Sequence, residues 1–244
     1  MRGLPKRPEM VGITYDVHAL GHEPQPLVVI DNIVDDPEAL IALAEADPPF
    51  VAQPTDYYPG IRKPVSNTYS GILLQKIEPV LRDVFGLEHQ YQPQVRLSAF
   101  SLTTTQPQKL RPIQCVPHID NHAPNQFAVV HYLCQEKFGG TSFYRHRSTG
   151  YETITGERLE HYFKVLKQEV MADDNAGRDY INGNTRLFER IARIKVRFNR
   201  ALIYRSCSLH SGDISAAVGL SSDPRQGRLT LNSFIESKSY PIDA

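Results

Sequence analysis

The chain has 244 residues, 41% of them hydrophobic and 22% charged, ordinary globular proportions that exclude a disordered or fibrous polypeptide. Lys plus Arg and Asp plus Glu number 27 each, so no net field draws the chain to nucleic acid or anionic lipid, and neither partner is expected. Three cysteines, an odd number, speak against a disulfide framework and for a reducing, cytoplasmic address. No apolar run reaches the roughly eighteen residues of a membrane span, and the basic start MRGLPKRPEM leads into none of signal-peptide length.

After a polar, Pro-containing lead, PLVVIDNIV (Pro26 to Val34) reads as a buried strand. Asp35 or Asp36 then caps a helix through DPEALIALAEA, with Pro37 in its first turn. Pro48 to Ser66 reads as an ordered loop rich in Pro and Tyr. Ile72, Leu73, Ile77, Val80, Leu81 and Val84 form one face of a second helix from about Gly71 to Phe85, which Pro79 is placed to kink or split. From Gln94 the texture changes to short β-branched and aromatic runs: VRLSAFSLT, FAVVHYL, TSFYRH, ALIYRS and LTLNSFI. Between Thr155 and Lys195 the spacing returns to that of helices, with Leu159, Tyr162, Phe163 and Leu166 on one face. A polar break (ADDNAGRD) then precedes a basic amphipathic helix over Arg186 to Arg200.

His118-Ile119-Asp120 is the most informative tripeptide, because alternate residues of an extended segment share one side. An imidazole and a carboxylate can therefore reach one ion, although a surface strand end with polar side chains shows the same pattern. A second histidine on an adjoining strand would complete the two-histidine, one-carboxylate face of the non-heme iron(II) oxygenases. His210, in SLHSGD after the apolar ALIYRS, fits that place.

From about Val95 to Ile235 the chain resembles the 2-oxoglutarate/Fe(II) oxygenases, especially their prolyl-hydroxylase-like branch. PHID resembles the first two ligands, FAVVHYLCQEKFGGTSFY the strand, Gly-Gly-Thr turn and next strand, RALIYRSCSLHSG the approach to the distal histidine, and GRLTLNSFI the last core strand. The resemblance implies a mainly β fold with flanking helices, a double-stranded β-helix (jelly-roll, cupin-like). It is expected to form one domain over 1–244: helical support at about 26–90, core at about 94–154 and 196–236, and a helical insertion at about 155–195.

It further implies a metal held by His118, Asp120 and His210, with Fe(II), 2-oxoglutarate and O2 as cofactors, and Arg228 with Thr230 at the far carboxylate of 2-oxoglutarate. A guanidinium fork donates two parallel hydrogen bonds to a carboxylate, and Thr230 shares a strand face with Arg228. A surface ion pair would explain a lone strand arginine equally. The expected activity is hydroxylation of an amino acid, peptidyl side chain or small metabolite, with desaturation or ring closure open to the same chemistry. The gaps from Asp120 to His210 and from His210 to Arg228 are wider than in compact members.

Two alternatives keep the histidines in other roles: a cupin-like metalloenzyme without 2-oxoglutarate, and a non-catalytic module on the same fold. A third, structural zinc on Cys115, His118, Cys207 and His210, has ligands three apart, which face opposite sides of a strand. His131 reads as a hydrogen-bonded strand histidine. His122 reads as an entrance or loop residue, and Tyr144, His146 and Arg147 as substrate contacts or an exposed turn. Tyr57, Tyr58 and Arg62 are placed at a substrate mouth, with the helical insertion as its lid.

Overall fold

Alternating apolar side chains lay down two antiparallel sheets in the computed structural model, which describes residues 13–52, 57–172 and 179–239. MRGLPKRPEM and most of the ADDNAGRD break lie outside these residues. In chain order the elements are β1 (Tyr15–Leu20), β2 (Gln25–Asp31), α1 (Pro37–Glu45), β3 (Gly60–Pro64), α2 (Asn67–Asp83), β4 (Tyr91–Thr103), β5 (Gln126–Tyr132) and β6 (Thr141–His146). Then follow α3 (Gly156–Met171), β7 (Phe188–Ile194), β8 (Arg200–Arg205), β9 (His210–Gly212) and β10 (Leu229–Ser239).

The larger sheet runs β1-β2-β8-β5-β10-β4-β3 and the smaller β7-β6-β9, which His118 extends through an isolated bridge to His210. From β4 onward the chain crosses between sheets repeatedly: β4 in the larger, the His118 segment in the smaller, β5 in the larger, β6 and β7 in the smaller. It then passes to β8 in the larger, β9 in the smaller and β10 in the larger. This winding is a double-stranded β-helix, a jelly roll with flanking helices.

Each strand of the larger sheet sorts its residues by the pleat. Phe127 and Val129 of β5, Ala201 and Ile203 of β8, and Leu229, Leu231 and Ile235 of β10 face α2, where Leu73, Ile77, Val80 and Leu81 cover them. Burying such side chains contributes about 1.5–3 kcal/mol each. Ala128, Tyr132, Leu202 and Tyr204 face inward between the sheets. A third cluster holds α3 to the outer face of the smaller sheet through Tyr162 and Leu166.

Both expected N-terminal helices form. Asp36 accepts from the Ala39 amide with Pro37 beside it, so α1 starts where the capping pattern placed it. Its last turn is capped from outside: the Lys63 ammonium, buried on β3, donates to the carbonyls of Leu43, Ala44 and Ala46. Helix α2 begins four residues before Gly71 and passes through Pro79 as one element, neither split nor ended there.

The basic segment Arg186 to Arg200 is not a helix, and the helical insertion ends at Met171 rather than Lys195. Residues 188–194 form β7, paired with β6. The misleading spacing has a local cause. A register shift opposite Phe143/Tyr144 leaves Ile191 unpaired, so Phe188 faces outward to the α3 cluster while Ala192 and Ile194 face inward. One inserted residue converts a two-residue repeat into an apparent helical one. β1 and β3, read as lead and loop, are the edges of the larger sheet, where half-exposed polar strands carry little apolar alternation.

His131 is the hydrogen-bonded strand histidine its context suggested. It lies fully buried, with Nε2 3.0 Å from Asn199 Oδ1 and Nδ1 3.2 Å from the Tyr69 hydroxyl, tying β5 to α2 and to the turn before β8. Burial pushes its pKa down to about 4, against the Asn199 hydrogen bond. A depressed folded-state pKa makes the unfolded chain bind the extra proton, so stability is lost as pH falls from about 6.5 toward 4. Between pH 7 and 5 this residue is expected to cost about 2 kcal/mol. Denaturant titrations should show that loss, reduced in His131→Gln; equal pH slopes would refute it.

Candidate metal centre

Two segments distant in sequence build the centre. The extended stretch from Pro117 to Asp120 lies beside β9, where His118 N donates to His210 O (2.9 Å) and His210 N to His118 O (3.0 Å). Asp120 N is held by Ser206 O at 2.9 Å, at the turn that leads from β8 into β9. Pairing places both imidazoles on one side, with ring centroids 4.4 Å apart, and the alternation of residues 118 and 120 brings the carboxylate to the same side.

One ligand atom from each of His118, Asp120 and His210 lies within 4.8 Å of the others, close enough to hold one metal ion. His118 Nε2 is 3.9 Å from Asp120 Oδ1, and His210 Nε2 is 3.5 Å from Asp120 Oδ2. The tautomer of His210 follows from its other nitrogen. Nδ1 lies 2.9 Å from the carbonyl of Ser208, which can only accept, so Nδ1 carries the hydrogen and Nε2 presents its lone pair.

The electrostatics call for a cation. Loss of hydration pushes His210 down to about 4, against the Ser208 hydrogen bond, and keeps the ring neutral at pH 7. Loss of hydration also lowers His118, reinforced by His210, opposed by Asp120 and again reinforced by Arg62. Half of the His118 side chain is open at the mouth, so it stays the better hydrated of the two rings. Burial raises Asp120, with His118 and Arg62 opposing. Asp120 Oδ2 is buried without a hydrogen-bond donor. Three converging acceptors are held together at a desolvation cost that a metal ion between them would offset.

Around the ligands, the Tyr204 ring packs edge-on against His210 at 4.7 Å and Phe143 lies at 6.2 Å. Their inner side is thus apolar, and the open side is that of His118.

Arg228, one residue before β10, is buried, and the long loop before it does not carry it to the surface. Its Nη2 donates to Gly140 O at 2.9 Å, its Nε has no partner, and among the described residues no carboxylate pairs with it. A glycine makes room for the turn that supplies this carbonyl. A Cβ on Gly140 would sit 1.7 Å from Ile194 O, so the turn after β5 needs glycine to approach β7. Gly212 of β9 lies alongside the guanidinium: a Cβ built on it would meet Arg228 Nη2 at 3.6 Å, an ordinary contact, and Ile214 Cδ1 at 2.9 Å. Thr230, on the same face of β10, is buried with Oγ1 unpartnered.

The remaining sequence candidates divide. Cys115 is bonded to the Arg111 carbonyl, all three cysteines are free, and the metal-holding group among the described residues contains none, so the structural zinc set does not assemble. His122 is an exposed loop residue. His146 is neither an exposed turn nor a substrate contact: fully buried, it joins Glu169 of α3 (2.7 Å) and Thr149 (2.9 Å). The bond to Glu169 fastens α3 to the smaller sheet. Farther along the chain, Tyr180 is buried and its hydroxyl donates to Thr105 O at 2.7 Å. Tyr57 is exposed with Arg111 over its ring, and Arg62 lies over Tyr58. The closeness of Gly212 to Arg228 escaped the sequence, where nothing pairs the two.

Residues 11–235 match the model of a family of unknown function, DUF6445, and the chain belongs to that family. No curated protein matches it in sequence. Among solved structures it is similar to HygX from Streptomyces hygroscopicus, whose crystal structure has nickel and 2-oxoglutarate bound. The two share 11% identity at a TM-score of 0.46, over 86% of this chain and 82% of HygX.

Replacing Asp120 with Asn keeps the shape and removes the charge. Divalent-metal affinity, measured by calorimetry with Co(II), should fall by more than the roughly 10–100-fold that loss of an outer partner costs. His210→Ala should do the same, and unchanged affinity in both variants would show that the triad is not a metal site.

Proposed function

We propose that this member of the DUF6445 family is an oxygenase using iron(II), 2-oxoglutarate and O2. His118, Asp120 and His210 hold the metal, and Arg228 with Thr230 hold the far carboxylate of the co-substrate. One observation carries the second half of the reading: a buried guanidinium with no carboxylate partner, set beside Gly212 on the strand that bears His210. Two residues of strand separate Gly212 from His210, roughly 7 Å, a span a five-carbon keto diacid can bridge. An unpaired buried arginine costs several kcal/mol, and a dicarboxylate reaching from the metal would offset that cost with paired hydrogen bonds.

When bound, the metal and its co-substrate supply the oxidation, with O2 consumed, 2-oxoglutarate converted to succinate and CO2, and one oxygen passed to a substrate carbon. The chain's own residues orient and shield. Ser208 fixes the lone pair of His210. Tyr204 and Phe143 exclude water from the inner side of the triad. Half-open His118 marks the face at which a small-molecule or peptidyl substrate would approach. We read the chain as one catalytic unit with a cytoplasmic address; no helix among the described residues is long and apolar enough to cross a membrane.

Anaerobic addition of Fe(II) and 2-oxoglutarate should produce the visible metal-to-ligand charge-transfer band of the chelate. His118→Ala should abolish it, and Arg228→Ala should raise the concentration of 2-oxoglutarate needed by on the order of a hundredfold. Iron binding without the band would replace this reading with a cupin-like metalloenzyme. No iron binding would leave a non-catalytic module.

A further inference from the structure

We propose that Arg62, Ser101 and Asn232 form a second subsite beside the metal, which takes the substrate itself by a carboxylate bearing an adjacent N–H or O–H, as in an α-amino or α-hydroxy acid. The proposal rests on the functional reading above and adds the substrate class to it.

The register assembles the three residues. Arg62 of β3 is paired with Ser101 of β4, and Ser101 with Thr230 of β10, so Arg62 shares a transverse row of the larger sheet with the residue already placed at the co-substrate. Lys63, the next residue, points the other way and is clamped to the end of α1, which fixes the inward face of β3. The Arg62 guanidinium lies over the Tyr58 ring at 4.6 Å, and the Tyr58 hydroxyl is 3.0 Å from Thr103 Oγ1. The row carries Arg62 to the inward face of the larger sheet, the face that bears Thr230 and looks toward the smaller sheet on which His118 and His210 meet.

Asn232 supplies the independent observation. Its Nδ2 donates to Ser101 Oγ at 3.1 Å, which orients the amide, and its Oδ1 is buried without any donor. The 2-oxoglutarate dianion carries only acceptors, so the co-substrate cannot satisfy this oxygen. A ligand that does must bring an N–H or O–H, and beside a guanidinium it is favoured if it also brings a carboxylate.

The test uses the full-length protein under anaerobic conditions with Fe(II) and saturating 2-oxoglutarate. The probes are the standard L-amino acids, their 2-hydroxy-acid counterparts and the methyl esters of both, and the readout is the position of the charge-transfer band. At least one free acid should shift the band, and its ester should need at least tenfold more to do so. Arg62→Met should keep the band and lose the shift, Arg62→Lys should retain a weakened shift, and Asn232→Leu should weaken amino and hydroxy acids alike. The subsite is refuted if the wild type forms the band and no free acid moves it, as it would be if Asn232 Oδ1 meets only water. It is equally refuted if esters match acids, or if Arg62→Met loses the band, which would assign Arg62 to the co-substrate. A wild type with no band at all overturns the oxygenase reading first, and this subsite with it.

Discussion

The centre depends on two backbone hydrogen bonds exchanged between His118 and His210. These residues are 92 positions apart, and neither imidazole could hold its place alone, because each sits on a short extended segment at the rim of the smaller sheet. Closing so long a loop costs entropy that grows only slowly with length. The intervening strands recover it by burying apolar faces on both sides of the larger sheet. The core and the centre are thus coupled: the packing that fixes β8 and β5 also fixes the turn from Ser206 that receives Asp120.

Burial sharpens the chemistry of the triad. An aspartate and two histidines on an open surface would each be hydrated and would not need one another. Here water is displaced by Tyr204 and Phe143 on one side, both histidines are driven toward the neutral form, and the carboxylate is left with an unsatisfied oxygen. Desolvation of this kind is stable only where the surrounding structure over-determines it, and a cation held between the three groups would offset part of its cost.

The polar face of β10 extends the same principle away from the metal. Most inward positions of the larger sheet are apolar, yet Arg228, Thr230 and Asn232 interrupt that pattern along β10 and the residue before it, each with a buried atom that lacks a partner. Three such atoms in succession are costly in a core that could have been filled with valine or leucine. Their position, between the guanidinium end near Gly212 and the row shared with Arg62, lines up three unsatisfied polar atoms along the inward side of the larger sheet.

Much of the fold was legible locally. Strands β2, β5, β6, β8 and β10 and helices α1 and α2 carry their periodicity and caps within a few residues, and the His-x-Asp pair declares a shared face by alternation alone. What escaped was set by neighbours. β7 hides its pleat behind the bulge at Ile191, which exists only because β6 pairs with it, and edge strands β1 and β3 have too little buried surface to show a pattern. His146 looks like a loop residue until α3 folds over it. The sequence by itself determined which residue types were available as ligands and which strand faces were apolar, because both follow from side-chain chemistry and the two-residue repeat. Only the tertiary structure decided that His210 meets His118, that Gly212 lies beside Arg228, and that Arg62 and Asn232 converge on Ser101, because each of these depends on strand pairings between residues far apart in the chain.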